Sequence, residues 1–195
     1  MALNNDSNIL EEWGIPERPS ARQLEDWAYM TKVWNALAGV IPDPSLDIGA
    51  GKSTGRTVSI DPFPRGPIDI RATGEELPIS DGYFESVVLQ SVLKHVISPA
   101  DVLLESKRVS KPKSLLFVTS PVNYVDHHRH SFTTGELISL IQGAGYRILR
   151  TRGIGLMWKW PDRILHSLGA RLYAYTRIPV RICRVLLIVA ESVQI

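Results

Sequence analysis

Two aspartates, Asp47 and Asp61, bracket a short glycine-rich stretch, Gly49-Ala50-Gly51-Lys52-Ser53. A carboxylate at a strand end accepts hydrogen bonds from the hydroxyls of a ribose, and glycines let a ligand approach the backbone closely. Asp47 has a second role open to it, orienting the turn through backbone N–H groups. Asp61 precedes Pro62 and could be a turn residue alone. A second concentration, YVDHHRHSF over 124–132, sets Asp126 beside His127, His128 and His130. Imidazole ionises near neutral pH, so a histidine here suits a general base toward an acceptor hydroxyl. Positioning of a substrate and loop structure are the other uses of these histidines. Imidazoles with a carboxylate also suit a divalent cation, but the neighbours His127 and His128 do not readily face one ion, so no metal is expected. His95, in SVLKHV, is a further candidate, with helix capping or a satisfied core position as its structural alternative.

The glycine stretch excludes two common ligands. Its Gly51-Lys52-Ser53 echoes a phosphate-binding loop, which requires a glycine where Leu46 stands. A dinucleotide fingerprint requires a glycine at 54, where Thr54 stands, with Gly55 one place late. The second strand also begins too soon for an intervening helix, whose N-terminus would hold a pyrophosphate. A ligand with an adenosine and a zwitterionic amino acid, and no phosphate, suits the pattern.

These residues need a scaffold, and the pattern predicts an alternating one. Strands are expected over 45–49, 56–60, 68–72, 84–91, 114–119 (after a break at KPK, 111–113), 146–151 and 181–190. Helices are expected over 20–38, 99–109, from a cap at Thr133 or Thr134 to the GAG at 143–145, and over 162–175. Strands alternating with helices imply a parallel sheet covered on both faces, with ligands beyond the carboxyl ends of the strands.

The chain has 195 residues, 44% hydrophobic and 22% charged, with a net charge of +2. One cysteine, Cys183, excludes an internal disulfide. Residues 1–20 lack a basic start and an apolar core, and the longest apolar run, 185–190, is far short of a span, so a cytoplasmic protein is expected. The small charge argues against nucleic acid. Between 147 and 184, however, nine Lys/Arg stand against one acid, Asp162, with Trp158, Trp160, Tyr173 and Tyr175 interleaved. Such a surface suits an anionic or lipid-linked acceptor, or peripheral membrane contact. A single domain is expected: an arm and lid helix over 1–44, a ligand-binding core over 45–152, a helical insert over 153–180 and a last strand over 181–195. Trp13, Trp27, Trp34, Trp158 and Trp160 are candidates for an acceptor pocket or lid.

Six stretches in order, LDIGAG (46–51), SIDP (59–62), GEELPISDGYFESVV (74–88), SVLKHV (91–96), LLESKRVSKPKSLLFVTSP (103–121) and HHRHSFTTGELISLIQGAGY (127–146), resemble the S-adenosylmethionine-dependent methyltransferases of class I, type 11-like. The resemblance implies an α/β, Rossmann-like, doubly wound, mostly parallel sheet with an antiparallel last strand, and S-adenosylmethionine as cofactor. It implies that Asp47, Gly49, Ala50 and Gly51 hold the methionine part, and that Asp61 binds the ribose. Thr73, Gly74, Glu75, Glu76 and Leu77 would lie beside the adenine; Gln90 and Ser91 would face the sulfonium side, with His95 just after. Lys52 is expected to pair with the methionine carboxylate. Three positions depart from the family pattern: Thr73 for an adenine-binding Asp, Glu85 for the Asp of FDxV, and Lys94 for the Glu of LEHV. The implied activity is methyl transfer to oxygen or nitrogen of a small-molecule or glycan acceptor. Two alternatives stay open: a catalytically inactive binding module, and a membrane-surface or anionic-ligand binding protein using the basic C-terminal region. The oligomeric state is not legible.

Overall fold

In the computed structural model, residues 40–52, 55–122, 129–156 and 183–193 are described, with 154–156 and 183–184 described by backbone alone. Six strands make one sheet in the order β2–β1–β3–β4–β6–β5. They are β1 (Ser45–Ile48), β2 (Val58–Ile60), β3 (Phe84–Gln90), β4 (Ser110–Pro121), β5 (Tyr146–Leu156) and β6 (Cys183–Ser192). The described helices are α1 (Pro99–Arg108) and α2 (Thr134–Gly143). β1 pairs in parallel with β2 and β3, and β3 with β4. β6 enters between β4 and β5, antiparallel to both. This is the mostly parallel α/β sheet with an antiparallel last strand that the sequence leads one to expect. Strand order reverses between β1 and β3, the place in open α/β sheets where ligands are bound beyond the strand carboxyl ends.

Local sequence accounts for the helix limits. Ser98 caps α1 by accepting the Asp101 N–H, Pro99 opens the first turn, and Lys107 and Arg108 sit in the last. Thr133 and Glu136 form a capping box at α2. Both helices bury one face. Val102 and Leu103 of α1 and Leu137 and Ile141 of α2 join Leu46, Ile48, Ile60, Leu89, Leu116, Val118, Leu186 and Ile188 in one core. Each of these aliphatic side chains contributes about 1.5–3 kcal/mol by leaving water.

The other face of the sheet is different in kind. Alternation along the strands sends Ser45, Asp47, Ser59, Ser86 and Thr119 there, all buried. Among the described residues its apolar cluster comprises Ile41, Val88 and Phe117, flanked by Leu115 and Val189. The segment leading into β1 is strapped across this face, with Ser86 Oγ donating to the Pro42 carbonyl at 2.6 Å and Glu85 N–H to the Pro44 carbonyl at 2.8 Å. Asp43 accepts from Ser45 Oγ at 2.5 Å and Thr57 Oγ1 at 3.2 Å; the Ser45 bond chiefly holds its carboxyl below the usual range.

Some boundaries differ from expectation. β4 begins at Ser110 and passes through Pro112 rather than starting at Ser114. A register shift between Phe84 and Ser86 and a left-handed Lys113 (φ 62°) absorb the missing Pro112 N–H. The stretch 68–72 contributes a single parallel bridge, Ile60 to Ile70, instead of a strand. β5 continues to Leu156, past Arg152, the expected edge of the core. The expected helices over 20–38 and 162–175, and the five tryptophans, lie outside the described residues. Among the described residues no helix is long and apolar enough to cross a membrane.

Candidate active site

The glycine turn sits at the carboxyl end of β1. Gly49 and Gly51 have φ of 70° and 67°, a left-handed backbone that side chains disfavour. The Gly49 and Ala50 N–H groups both donate to the Ile60 carbonyl, at 2.7 and 3.1 Å, tying the turn to the end of β2. A Cβ on Gly49 would stand 2.6 Å from Val92 Cγ2, so the loop after β3 closes over it. Gly51 is the opposite case: among the described residues, no atom lies within 4 Å of where its Cβ would be.

Asp61 joins this turn to the end of β2. Its Oδ2 accepts the Gly51 N–H at 2.8 Å, and its Oδ1 accepts the Phe63 N–H at 2.7 Å. Arg65 N–H in turn donates to the Gly51 carbonyl at 2.5 Å, and Gly66 lies against the stem of exposed Lys52. The chain after Asp61 thus folds back on the glycine turn. Each carboxylate oxygen has a further lone pair beyond the one in use. Asp47 lies one row lower, buried in β1 between Ser59 and Val88 on the flanking strands.

The loop 73–81 forms the second wall. Gly74 is wedged between β1 and α1: a Cβ there would meet Ile48 Cγ2 at 2.9 Å and both Val102 methyls at 3.3 Å. Thr73 and Glu76 are exposed, and Leu77 is buried. Leu77 N–H donates to Glu105 Oε2 at 2.8 Å. Arg108 donates to the carbonyls of Leu77 at 3.0 Å and Ile79 at 2.8 Å, to Asp81 at 2.6 Å, and to both oxygens of Glu105. Arg108 holds the Glu105 carboxyl below its ordinary range, with the Leu77 N–H assisting, and the two acids raise the guanidinium in return.

The third wall follows β3. Gln90 pairs beside Thr119 of β4, and Ser91 takes a left-handed φ of 57° while its N–H donates to the Thr119 carbonyl at 2.8 Å. Such a backbone costs a non-glycine residue about 1–2 kcal/mol. His95 is half-buried, its N–H on the Val92 carbonyl at 2.8 Å. His130 Nε2 lies 3.0 Å from the Val96 carbonyl. His127 and His128 lie outside the described residues. Among the described residues no three His, Cys, Asp or Glu are grouped to hold a metal.

Residues 52–118 match the model of the family described as "Methyltransferase domain". That match spans 67 of the 195 residues, a likeness to the methyltransferase domain over about a third of the chain. The family's cofactor is S-adenosylmethionine, and its reaction is methyl transfer, EC 2.1.1. Solved structures agree on the fold. A S-adenosylmethionine-dependent methyltransferase of Thermotoga maritima, described as a possible histamine N-methyltransferase, is 19% identical, with a TM-score of 0.60 over 94% of this chain and 98% of that one. A S-adenosylmethionine-dependent methyltransferase of Methanosarcina mazei is 15% identical, with a TM-score of 0.54 over 77% and 92%. The [4+2]-cyclase SpnF, 15% identical, gives 0.54 over 76% and 75%. No curated protein sequence matches the chain significantly.

The residues around the glycine turn fit that family's cofactor. The open side of Gly51 leaves its backbone approachable, and a carboxylate with lone pairs to spare stands 2.8 Å from the Gly51 N–H. Among the described residues between the turn and β2 there is no helix whose N-terminus would hold a pyrophosphate. Three contributors to the site carry no role in the sequence reading: Val92, which closes over Gly49, and Glu105 and Arg108, which set the 77–81 backbone. A Glu-x-x-Arg spacing on a helix signals a local ion pair; it does not say that the pair reaches another loop.

Proposed function

We propose that this domain transfers the methyl group of S-adenosylmethionine to an oxygen or nitrogen of a small-molecule or glycan acceptor. The observation that carries the reading is Asp61, held by two backbone N–H groups beside an open glycine turn at the switch point of the sheet. S-adenosylmethionine supplies an electrophilic methyl on a sulfonium, so the protein's work is alignment and exclusion of water. Asp61, already immobilised, offers its remaining lone pairs to the ribose hydroxyls without losing entropy on binding. Gly49 and Gly51 let the methionine part approach the backbone, and Lys52 gives its carboxylate a cation. Asp47 supports the turn from below. Thr73, Gly74, Glu75, Glu76 and Leu77 line the adenine side, and Gln90, Ser91 and His95 the sulfonium side. A base is needed only where the acceptor is a hydroxyl or a protonated amine; His127 and His128, with His130, are the candidates. Exposed Arg150 and Arg152 on β5 support an anionic acceptor, lipid-linked ones included. A single-domain, cytoplasmic protein is part of the same proposal.

The experiment is calorimetric titration with S-adenosylmethionine and S-adenosylhomocysteine, with mass spectrometry of the denatured purified protein for a carried adenosyl ligand. Binding of both, weakened in Asp61→Ala, is expected. Binding of neither would overturn the proposal in favour of an inactive relative.

A further inference from the structure

One peptide unit, the C=O of Val96 with the N–H of Ile97, is held from both ends. Its N–H donates to Glu75 Oε1 at 2.8 Å. Its carbonyl lies 3.0 Å from His130 Nε2, and the same nitrogen is 3.3 Å from the Ile97 carbonyl. His130 also donates its backbone N–H to the Lys94 carbonyl at 3.1 Å. Its ring stacks on Phe132, with centroids 6.1 Å apart, immediately before the Thr133 cap of α2. Carbonyl oxygens only accept, so Nε2 carries the proton, a tautomer assigned from its partners. Nε2 is thereby committed to the peptide carbonyl, and Nδ1 is the ring's unprotonated nitrogen.

Glu75 belongs to the adenine-side loop, two residues from Leu77, which Glu105 and Arg108 clamp. His130 belongs to the chain entering α2. We propose that the Val96–Ile97 peptide is a junction holding these two regions in fixed relation, with Glu75 and His130 as positioning residues. The physical link is polarisation. A carboxylate pulling on the N–H makes the carbonyl of the same peptide a better acceptor, and a donor on the carbonyl makes the N–H a better donor. Each bond strengthens the other although Glu75 and His130 do not act on the same atom. Order imposed on the adenine-side loop by a ligand is thereby felt at the entrance to α2. The functional half of this inference rests on the methyltransferase reading; the structural half does not.

The test has two arms. In the unliganded full chain, Glu75→Ala speeds hydrogen exchange at the Ile97 amide by about tenfold, the loss of one charge-assisted bond. His130→Ala speeds exchange at that same amide by about threefold, the transmitted part. Glu75→Gln keeps an acceptor and His130→Gln a donor, and both restore protection. Unchanged Ile97 exchange in His130→Ala would overturn the junction. In the second arm, S-adenosylhomocysteine binding weakens in both alanine variants, and the double variant loses less than the product of the single losses. Single losses that simply multiply would also overturn it. If the wild-type chain bound no S-adenosylhomocysteine, the methyltransferase reading would fall, and the exchange arm would still decide the junction.

Discussion

The two loops that flank the end of β1 are held by opposite means. The glycine turn and the 61–66 segment are close in sequence and bind each other directly. Asp61 takes the Gly51 N–H, and Arg65 gives its own N–H to the Gly51 carbonyl. The 73–81 loop is instead gripped from a distant helix, by Arg108 and Glu105 of α1 on Leu77, Ile79 and Asp81. In the first loop the residue that holds the fold is also the one proposed to meet a ligand. In the second the two jobs are separated: the brace lies in α1, leaving Thr73 and Glu76 exposed. Substitutions in the first loop should therefore damage binding and structure together, while those in the brace act on the ligand only through geometry.

The sharpest way to break this contrast is Asp61→Ala. Removing acceptors for two ribose hydroxyls weakens cofactor binding by about 100-fold, taking about 1.5 kcal/mol for each bond to a charged group. Calorimetry measures it, and an effect under tenfold would mean that Asp61 serves the turn alone. Next comes the pair Gly49→Ala and Gly51→Ala, compared by urea unfolding. Both meet the strain of a left-handed backbone, about 1–2 kcal/mol, but only Gly49→Ala also drives a methyl to 2.6 Å from Val92. Gly49→Ala is expected to cost about 3 kcal/mol and Gly51→Ala about 1–2 kcal/mol. Equal costs would show that Val92 does not close the turn.

The brace is tested with pH. Arg108 depresses the Glu105 carboxyl, so its contribution to stability is complete above the ordinary glutamate range, near 4.5, and is lost as pH falls through the lowered folded value. Glu105→Gln should flatten that acid side of the stability curve while leaving stability at neutral pH lower, by about 1 kcal/mol. A variant curve parallel to wild type in acid would remove the brace from the account. Arg108→Ala raises the KM for cofactor several-fold at nearly constant kcat. The smallest effect is Lys52→Ala, expected to weaken cofactor binding by less than about tenfold at low ionic strength and hardly at all in high salt. An equal loss at both salt concentrations would show that its charge is not the reason.

What could be read from the sequence followed chain proximity. Asp61 and Gly51 are ten residues apart in sequence and meet because two short parallel strands end side by side. The buried runs Ser45–Ile48 and Phe84–Gln90, a threonine cap at 133 or 134 and the late apolar strand also announce themselves in local pattern, whereas the antiparallel direction of that strand is implied by the family resemblance alone. Pro112 misled the reading, because a proline in a strand signals a break unless a register shift elsewhere accommodates it.

By itself, the sequence determined the alternation of strands and helices and the glycine turn with its two aspartates, because periodicity, caps and left-handed glycines act over a few residues. The tertiary structure alone decided that Gly74 must be small to pass between Ile48 and Val102. It also decided that Arg108 reaches Ile79 and Asp81, and that His130 meets the Val96 carbonyl. Those contacts join residues that chain spacing never brings together. Which ones meet depends on how a helix and a loop settle on the sheet, and no local preference encodes that.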